Sequence, residues 1–333
     1  MSAVTACAHC AAPAEESDRF CGCCGAILAE STRIAIPRDL ATPDGPCADC
    51  GDGSYDDGYC SACGSRQARP DRDEASLGRI ALITDRGLEH HRNEDAAAAG
   101  TLGNAIVVAV CDGVSSSADA DRAAAAASTA GVDAMLVALA GLQSLRGAVL
   151  AGLAAAAKAA KDAYAGPDLA IAPSCTYTAA AIMPTDEGAV QIAVGNVGDS
   201  RAYWLPEPPV EPQQLTVDDS VAQELILAGA AADSAAVQRG AHTLTRWLGA
   251  DNDAKPWSGS SLHTIVTGGP GSLLLCTDGL WNYLPDAADL AGFVTGADPA
   301  AAARALTEYA LAAGGLDNIT VVVIPIGGND GFG

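Results

Sequence analysis

Five acidic stops punctuate the larger part of this chain: Asn93-Glu94-Asp95, Cys111-Asp112-Gly113, Gly198-Asp199-Ser200-Arg201, Thr277-Asp278-Gly279 and Asp317-Asn318. Asp112, Asp278 and Asp317 adjoin short apolar runs at 105–111, 272–276 and 319–324. An apolar strand that ends or begins on a carboxylate sets that carboxylate at the rim of a sheet. Several such strands side by side gather negative oxygens, which repel one another unless something positive sits among them. Hard divalent cations with oxygen ligands answer that need. Taken singly, each Asp serves a turn or cap as readily as a metal. Their number and order carry the functional reading.

A second set of donors lies near the start. Cys7-x2-Cys10 is followed by Cys21-x2-Cys24, and Cys47-x2-Cys50 by Cys60-x2-Cys63. Each unit presents two tight knuckles, and a glycine follows Cys24, Cys50 and Cys63, where the chain must bend with positive φ. Four thiolates at tetrahedral separation suit a structural zinc ion and leave no open position for catalysis. Disulfides are the weaker reading, because residues 1–10 are short and polar rather than a secretory leader. Thioredoxin-type redox pairs would need a βαβ surround that is missing here. Cys23 reads as a bystander that could replace Cys24, and His9 as a poorer ligand than Cys10. Cys111, Cys175 and Cys276 sit in apolar contexts and read as small buried residues.

The elements that must position these groups follow from hydrophobic pattern. Strands are expected at 79–84, 105–111, 175–183, 190–196, 200–205, 262–266, 272–276 and 319–324. Long alanine-rich helices are expected at 120–141 and 144–164, with a third at 299–313. Strands come in runs and helices are inserted as a pair, which predicts an α+β domain of packed antiparallel sheets with helices outside. The expected division is one ribbon at 1–30, a second at 44–66, a charged, proline-containing linker at 67–76 and a large domain at 77–327.

Composition sets further bounds. The chain has 333 residues and a net charge of −23, which argues against non-specific binding to nucleic acid or anionic membrane. Hydrophobic residues make up 49% but aromatics only 4%, so the core is expected to be built from small and branched aliphatic side chains. No uninterrupted apolar run reaches the ~20 residues that span a bilayer. The expectation is a cytoplasmic protein.

The ordered stretches Thr84-Asp85-Arg86-Gly87, Asn93-Glu94-Asp95-Ala96, Cys111-Asp112-Gly113, Val197-Gly198-Asp199-Ser200-Arg201, Leu215-Thr216-Val217-Asp218-Asp219-Ser220, Thr277-Asp278-Gly279-Leu280-Trp281 and Asp317-Asn318-Ile319-Thr320 resemble the metal-dependent serine/threonine protein phosphatase family, PPM or protein phosphatase 2C, in its bacterial form. The resemblance covers about residues 78–326. The cysteine units resemble double zinc ribbons.

The family resemblance implies an αββα sandwich with two Mg²⁺ or Mn²⁺ ions in a cleft at one end of the sheets. Carried over residue by residue, Asp112 would bridge the metals. Asp278 and Asp317 would complete one site, and Glu94 with the Gly113 carbonyl the other. Asp199 would hold a third, weaker ion, and Asp95 would orient water. Phosphorylated proteins made by serine/threonine kinases would be the substrates.

Departures from the family pattern concern the phosphate grip. His90 stands where an Arg is usual, with Arg92 two residues on. Val114-Ser115-Ser116-Ser117 replaces a glycine-rich turn and its histidine, and Asp219 stands where His is common. His242 reads as a core or surface histidine. The competing readings are a weakly active or inactive domain that binds phosphoproteins, with the ribbons as a docking module for an unidentified partner, and a zinc-ribbon nucleic-acid binder, disfavoured by charge.

Overall fold

In the computed structural model the described residues are 4–7, 10–15, 18–38, 46–47, 49–56, 59–65, 72–185, 187–252 and 255–327. His9 lies outside them. Two six-stranded antiparallel sheets are stacked between helical layers. Their strands, in chain order, are β1 (Ser31–Ile36), β2 (Arg72–Leu77), β3 (Ile80–Asp85), β4 (Ala96–Leu102), β5 (Ala105–Cys111), β6 (Tyr177–Pro184), β7 (Val190–Val197), β8 (Arg201–Pro206), β9 (Gln213–Gln214), β10 (Leu262–Thr267), β11 (Gly271–Cys276) and β12 (Ile319–Ile326). One sheet runs β10-β7-β6-β5-β4-β1 and the other β9-β8-β11-β12-β3-β2. Helices α1 (Ala120–Ala140) and α2 (Leu145–Asp162) cover the first sheet. After the short helices α3 (Val221–Leu227), α4 (Ala235–Gly240) and α5 (Asp278–Trp281), helices α6 (Ala287–Val294) and α7 (Pro299–Ala313) cover the second.

The layering follows from period-two patterning in strands apolar on both faces. Val107, Ala109 and Cys111 of β5 face α1 and α2, while Ile106, Val108 and Val110 face the other sheet. In β12, Val321 and Val323 meet α7, and Val322 and Ile324 meet the first sheet. The αββα expectation is therefore realised, with a core of small aliphatic side chains. Close helix packing depends on this smallness: a Cβ on Gly131 of α1 would lie 2.2 Å from the Tyr177 hydroxyl. The helices begin where the chemistry of capping allows. Ser144 accepts from the Gly147 amide ahead of α2, and Asp298 accepts from the Ala301 amide ahead of α7, with Pro299 at the first helical position. By length and composition α1 could cross a membrane, which the interrupted apolar runs did not suggest, but most of it is buried against β4 and β5.

Two expectations, the linker and the start of the large domain, need correction, and two strands lie where none was expected. The linker expected over 67–76 is not one in its described part: Arg72–Leu77 is β2, paired with β3 from Arg72↔Asp85 to Leu77↔Ile80. The large domain therefore takes in residues before 77. Arg72 explains why a charged run can be strand, because its guanidinium is buried and paired with Glu74, Asp85 and Glu308. Likewise Ser31–Ile36, between the two cysteine units, is β1 and pairs with β4. Strand β4 itself, Ala-Ala-Ala-Ala-Gly-Thr-Leu, lacks β-branched residues over its first five positions and gave no strand signal. Its pairing on both sides, not its propensity, makes it a strand.

Candidate metal centre and cleft

The acidic stops converge at one end of the sandwich. Glu94 and Asp95 precede β4, Asp112 follows β5, and Asp199 lies in the turn between β7 and β8. Asp278 opens the short helix α5 (Asp278–Trp281) directly after β11, and Asp317 stands two residues before β12. Asp112, Asp199, Asp278 and Asp317, with Gly113, line a cleft of about 640 Å³. Both glycines of the Asp-Gly pairs are there for close approach. A Cβ on Gly113 would sit 2.6 Å from the Glu94 carbonyl oxygen, and one on Gly279 would sit 2.0 Å from that of Asn318.

Hydrogen bonds that cross between the sheets fix the cluster. Asp95 Oδ2 accepts from Thr277 Oγ1 at 2.9 Å and Thr320 Oγ1 at 2.8 Å. Asn318 Oδ1 accepts from the Glu94 amide at 2.7 Å, and its Nδ2 donates to the carbonyls of Arg86 and Arg92 at 2.7 and 3.1 Å. Asn318 thus staples the loop from 86 to 94. Thr176 does the same for Asp112. Its Oγ1 accepts from the Asp112 amide at 3.0 Å, and its own amide donates to the Asp112 carbonyl at 2.8 Å. Asp219 replaces a more usual His without loss of order, accepting from the Gly198 amide and pairing with Arg246 at 2.9 Å.

The electrostatics are those of a cluster awaiting cations. Burial, then Asp317 and Asp278, pushes Asp95 well above the ordinary carboxylate range. Burial followed by Asp95, Asp278, Asp199 and Asp317 does the same to Asp112. Asp199 is pushed up to about 8 by burial and then by Asp278 and Asp218. Asp317 is raised by burial and by Asp278. Asp95 Oδ1 and Asp278 Oδ1 are buried without a hydrogen-bond partner. Crowded carboxylates with orphaned buried oxygens fit hard divalent cations, whose charge removes the repulsion and whose coordination takes up the orphaned atoms.

The two residues expected to grip phosphate lie beside this cleft and do not line it. His90 Nε2 is 3.2 Å from Asp317 Oδ1. Arg92 Nε donates to Glu94 Oε1 at 2.7 Å, with Asp119 and Asp121 at 3.7 and 3.8 Å from Nη1. The sequence reading missed His242, which does line the cleft. Its Nδ1 is 3.6 Å from Asp278 Oδ2, and this carboxylate raises the imidazole pKa. The available signal was a lone His in an alanine-rich segment of a chain that lacks the histidine usual after Asp112-Gly113.

The thiol groups close up as their spacing predicts. In Cys7, Cys10, Cys21 and Cys24, and again in Cys47, Cys50, Cys60 and Cys63, the four sulfurs lie within 4.8 Å of one another. Within them Cys10 and Cys21 are 3.5 Å apart and Cys47 and Cys63 3.6 Å. A tetrahedron with ~2.3 Å zinc–sulfur bonds has edges of about 3.8 Å. Gly25, Gly51 and Gly64 take φ of 73°, 75° and 76°, and Ala11 fills the matching place in the remaining knuckle at 57°. Cys23 is exposed and stands outside the group of four.

Comparison with known proteins agrees with this architecture. Residues 88–309 match the family model described as protein phosphatase 2C. The serine/threonine protein phosphatase PstP of Mycobacterium tuberculosis is 31% identical over 255 residues, which are 74% of this chain and 45% of that protein. The chain thus spans less than half the length of that curated relative. Among solved structures, the PPM Ser-Thr phosphatase MsPP from Mycobacterium smegmatis, in complex with cacodylate, is 30% identical with a TM-score of 0.56, covering 76% of this chain and all of that one. The catalytic domain of PstP in complex with two manganese ions is 27% identical with a TM-score of 0.51, covering 75% of this chain and 98% of that one. With the ordered acidic stops, the αββα layering and the cleft in the same chain, this protein belongs to the protein phosphatase 2C family.

Proposed function

We propose that this chain is a Mg²⁺- or Mn²⁺-dependent phosphatase that hydrolyses phosphoserine and phosphothreonine in proteins. The carrying observation is the set of four carboxylates lining one cleft, with Asp95 and its orphaned Oδ1 beside them. In this reading Asp112, Asp278 and Asp317 hold one ion, and Asp112, Glu94 and the Gly113 carbonyl hold the other. Asp199 holds a third, weaker ion. Bound there, the ions supply an activated water and neutralise the phosphoryl oxygens. Asp95, clamped by Thr277 and Thr320, is the fixed acceptor that orients the attacking water. His90 and Arg92 stand ready to meet substrate phosphate from beside the cleft once cations relieve their carboxylate partners. The two thiolate groups hold one structural zinc ion each. The protein acts in the cytoplasm, opposing serine/threonine kinases.

A second reading, a weakly active or inactive domain that binds phosphoproteins, draws on one observation: both residues expected to grip phosphate are already engaged by Asp317 and Glu94. Titrating Mn²⁺ into assays with p-nitrophenyl phosphate and with a phosphothreonine peptide separates the two. The phosphatase reading expects Mn²⁺-dependent release of phosphate from both, lost in Asp278→Ala. Peptide binding without release would favour the second reading, and undiminished release by Asp278→Ala would sink the metal assignment.

A further inference from the structure

A phosphate monoester entering the cleft meets four carboxylates from Asp112, Asp199, Asp278 and Asp317. Among the described residues that line the cleft, His242 is the only imidazole, and no Lys or Arg lines it. We propose that His242 is the protein's own contact to the substrate phosphoryl group, its Nε2 donating to a phosphoryl oxygen inside the cleft. The proposal rests on the phosphatase reading for its substrate class and goes beyond it in naming a residue that the spacing of the acidic stops does not indicate.

The imidazole is placed by a built support rather than by chance. It lies nearly parallel to the Trp281 indole, with ring centroids 6.2 Å apart and planes 8° from one another, the range of offset stacking. Trp281 is itself fixed. Its Nε1 donates to the Asp199 carbonyl at 2.9 Å, and the Arg201 guanidinium carbon lies 3.7 Å from its ring centroid. Arg201 is held in turn by Asp218, with Nη2 donating to Oδ2 at 2.7 Å.

The segment that carries His242 is also tied to the sandwich. Thr243 accepts at its carbonyl from the Val221 amide, Thr245 donates from its amide to the Asp219 carbonyl, and Ser220 bridges Leu244. Nδ1 points at Asp278, and among the described residues Nε2 has no protein partner, so one donor of this ring is free for a ligand. His242 is more than half exposed, with side-chain exposure of 60%, so a ligand can reach it. His90 and Arg92, by contrast, stand beside Asp317 and Glu94, outside the lining of the cleft.

The test uses the full chain loaded with Mn²⁺ and its His242→Ala and His242→Gln variants. Three quantities are read: the inhibition constant and calorimetric Kd of inorganic phosphate, KM against kcat for p-nitrophenyl phosphate, and calorimetric Mn²⁺ affinity. The expected result is a loss of phosphate affinity of about tenfold in His242→Ala, the scale of one hydrogen bond, with a parallel rise in KM that exceeds any fall in kcat. His242→Gln, which keeps an N–H donor without charge, should lose less. Mn²⁺ affinity should be retained. Unchanged phosphate affinity and KM in His242→Ala would overturn the proposal, and a changed Mn²⁺ affinity in their place would assign the imidazole to Asp278 alone. If the wild-type chain shows no Mn²⁺-dependent turnover, the phosphatase reading fails, and the calorimetric comparison of phosphate binding still decides the role of His242.

Discussion

Two regions of the molecule crowd like-charged donors, and they do so at opposite extremes of chain distance. Each thiolate group is assembled from a stretch of under twenty residues by two knuckles, in which Gly25, Gly51 and Gly64 supply the bend. The carboxylate cluster draws on residues from Glu94 to Asp317, delivered by strands of both sheets and cross-linked by Asp95, Thr277, Thr320 and Asn318. A local group of thiolates is closed by its own metal and can form before anything else folds. A dispersed group of carboxylates is only as good as the sandwich that delivers it. The first kind is therefore legible from spacing, and the second only from order and context.

This contrast can be broken or sharpened in several ways, taken here from the largest effect down. Asp112→Ala and Asp278→Ala should each lower Mn²⁺-dependent turnover by about a thousandfold or more, because each removes a donor from the charged centre of the reaction. Melting should show the fold retained, since each change also relieves like-charge repulsion. Cys60→Ser should act the other way round. Metal analysis should fall from about two zinc ions per chain to about one, with a marked loss of stability and a much smaller loss of turnover per folded molecule.

Between the two regions lies Arg72, buried at the start of β2 and paired to Asp85, the residue that opens the loop leading to Glu94. Arg72→Met should cost about 3 kcal/mol in denaturant unfolding, because it leaves Asp85 and Glu74 without their buried partner. A loss below about 1 kcal/mol would show that β2 is held by its backbone pairing alone.

The smallest effect is a pH dependence. In the absence of the weakly held cations, Asp95, Asp112, Asp199 and Asp317 keep protons in the folded chain that the unfolded chain has already released. Stability should therefore fall as pH rises from the ordinary carboxylate range towards the value of about 8 reached by Asp199. Melting temperatures of protein dialysed free of Mg²⁺ and Mn²⁺, with zinc retained, should drop by several degrees between about pH 5 and pH 8, and Mn²⁺ should flatten the slope. A melting temperature that rises over the same window would contradict the crowding of these carboxylates.

Much of this was legible in the chain itself, for identifiable reasons. Residues 105–111 are apolar at every position, and 272–276 and 319–324 at all but Ser272 and Thr320, so strands buried on both faces could be expected there, and each adjoins its carboxylate. The alanine-rich helices declared themselves by propensity. What stayed hidden was decided by tertiary pairing. Ala96–Leu102 has the composition of a helix, and Arg72–Leu77 that of a linker, yet each becomes a strand because a neighbour offers a complete hydrogen-bonding partner. His242 was hidden for a different reason. Its meaning comes from Trp281, thirty-nine residues away in the chain and reached only through the fold.

The placement of β1 and β2 has one more consequence. They are the outermost strands on the same side of the two sheets, they pack on each other, β1 lies between the two cysteine units, and β2 follows the second. They cover the backbone of β4 and β3, which would otherwise offer unpaired amides and carbonyls along an apolar border. A shortened chain begun at Leu77, where composition alone would place the cut, would bare both borders at once and invite a second copy to supply the missing strand. The part of the chain before Leu77 thus guards against self-association as well as carrying a pair of metal-sized thiol clusters.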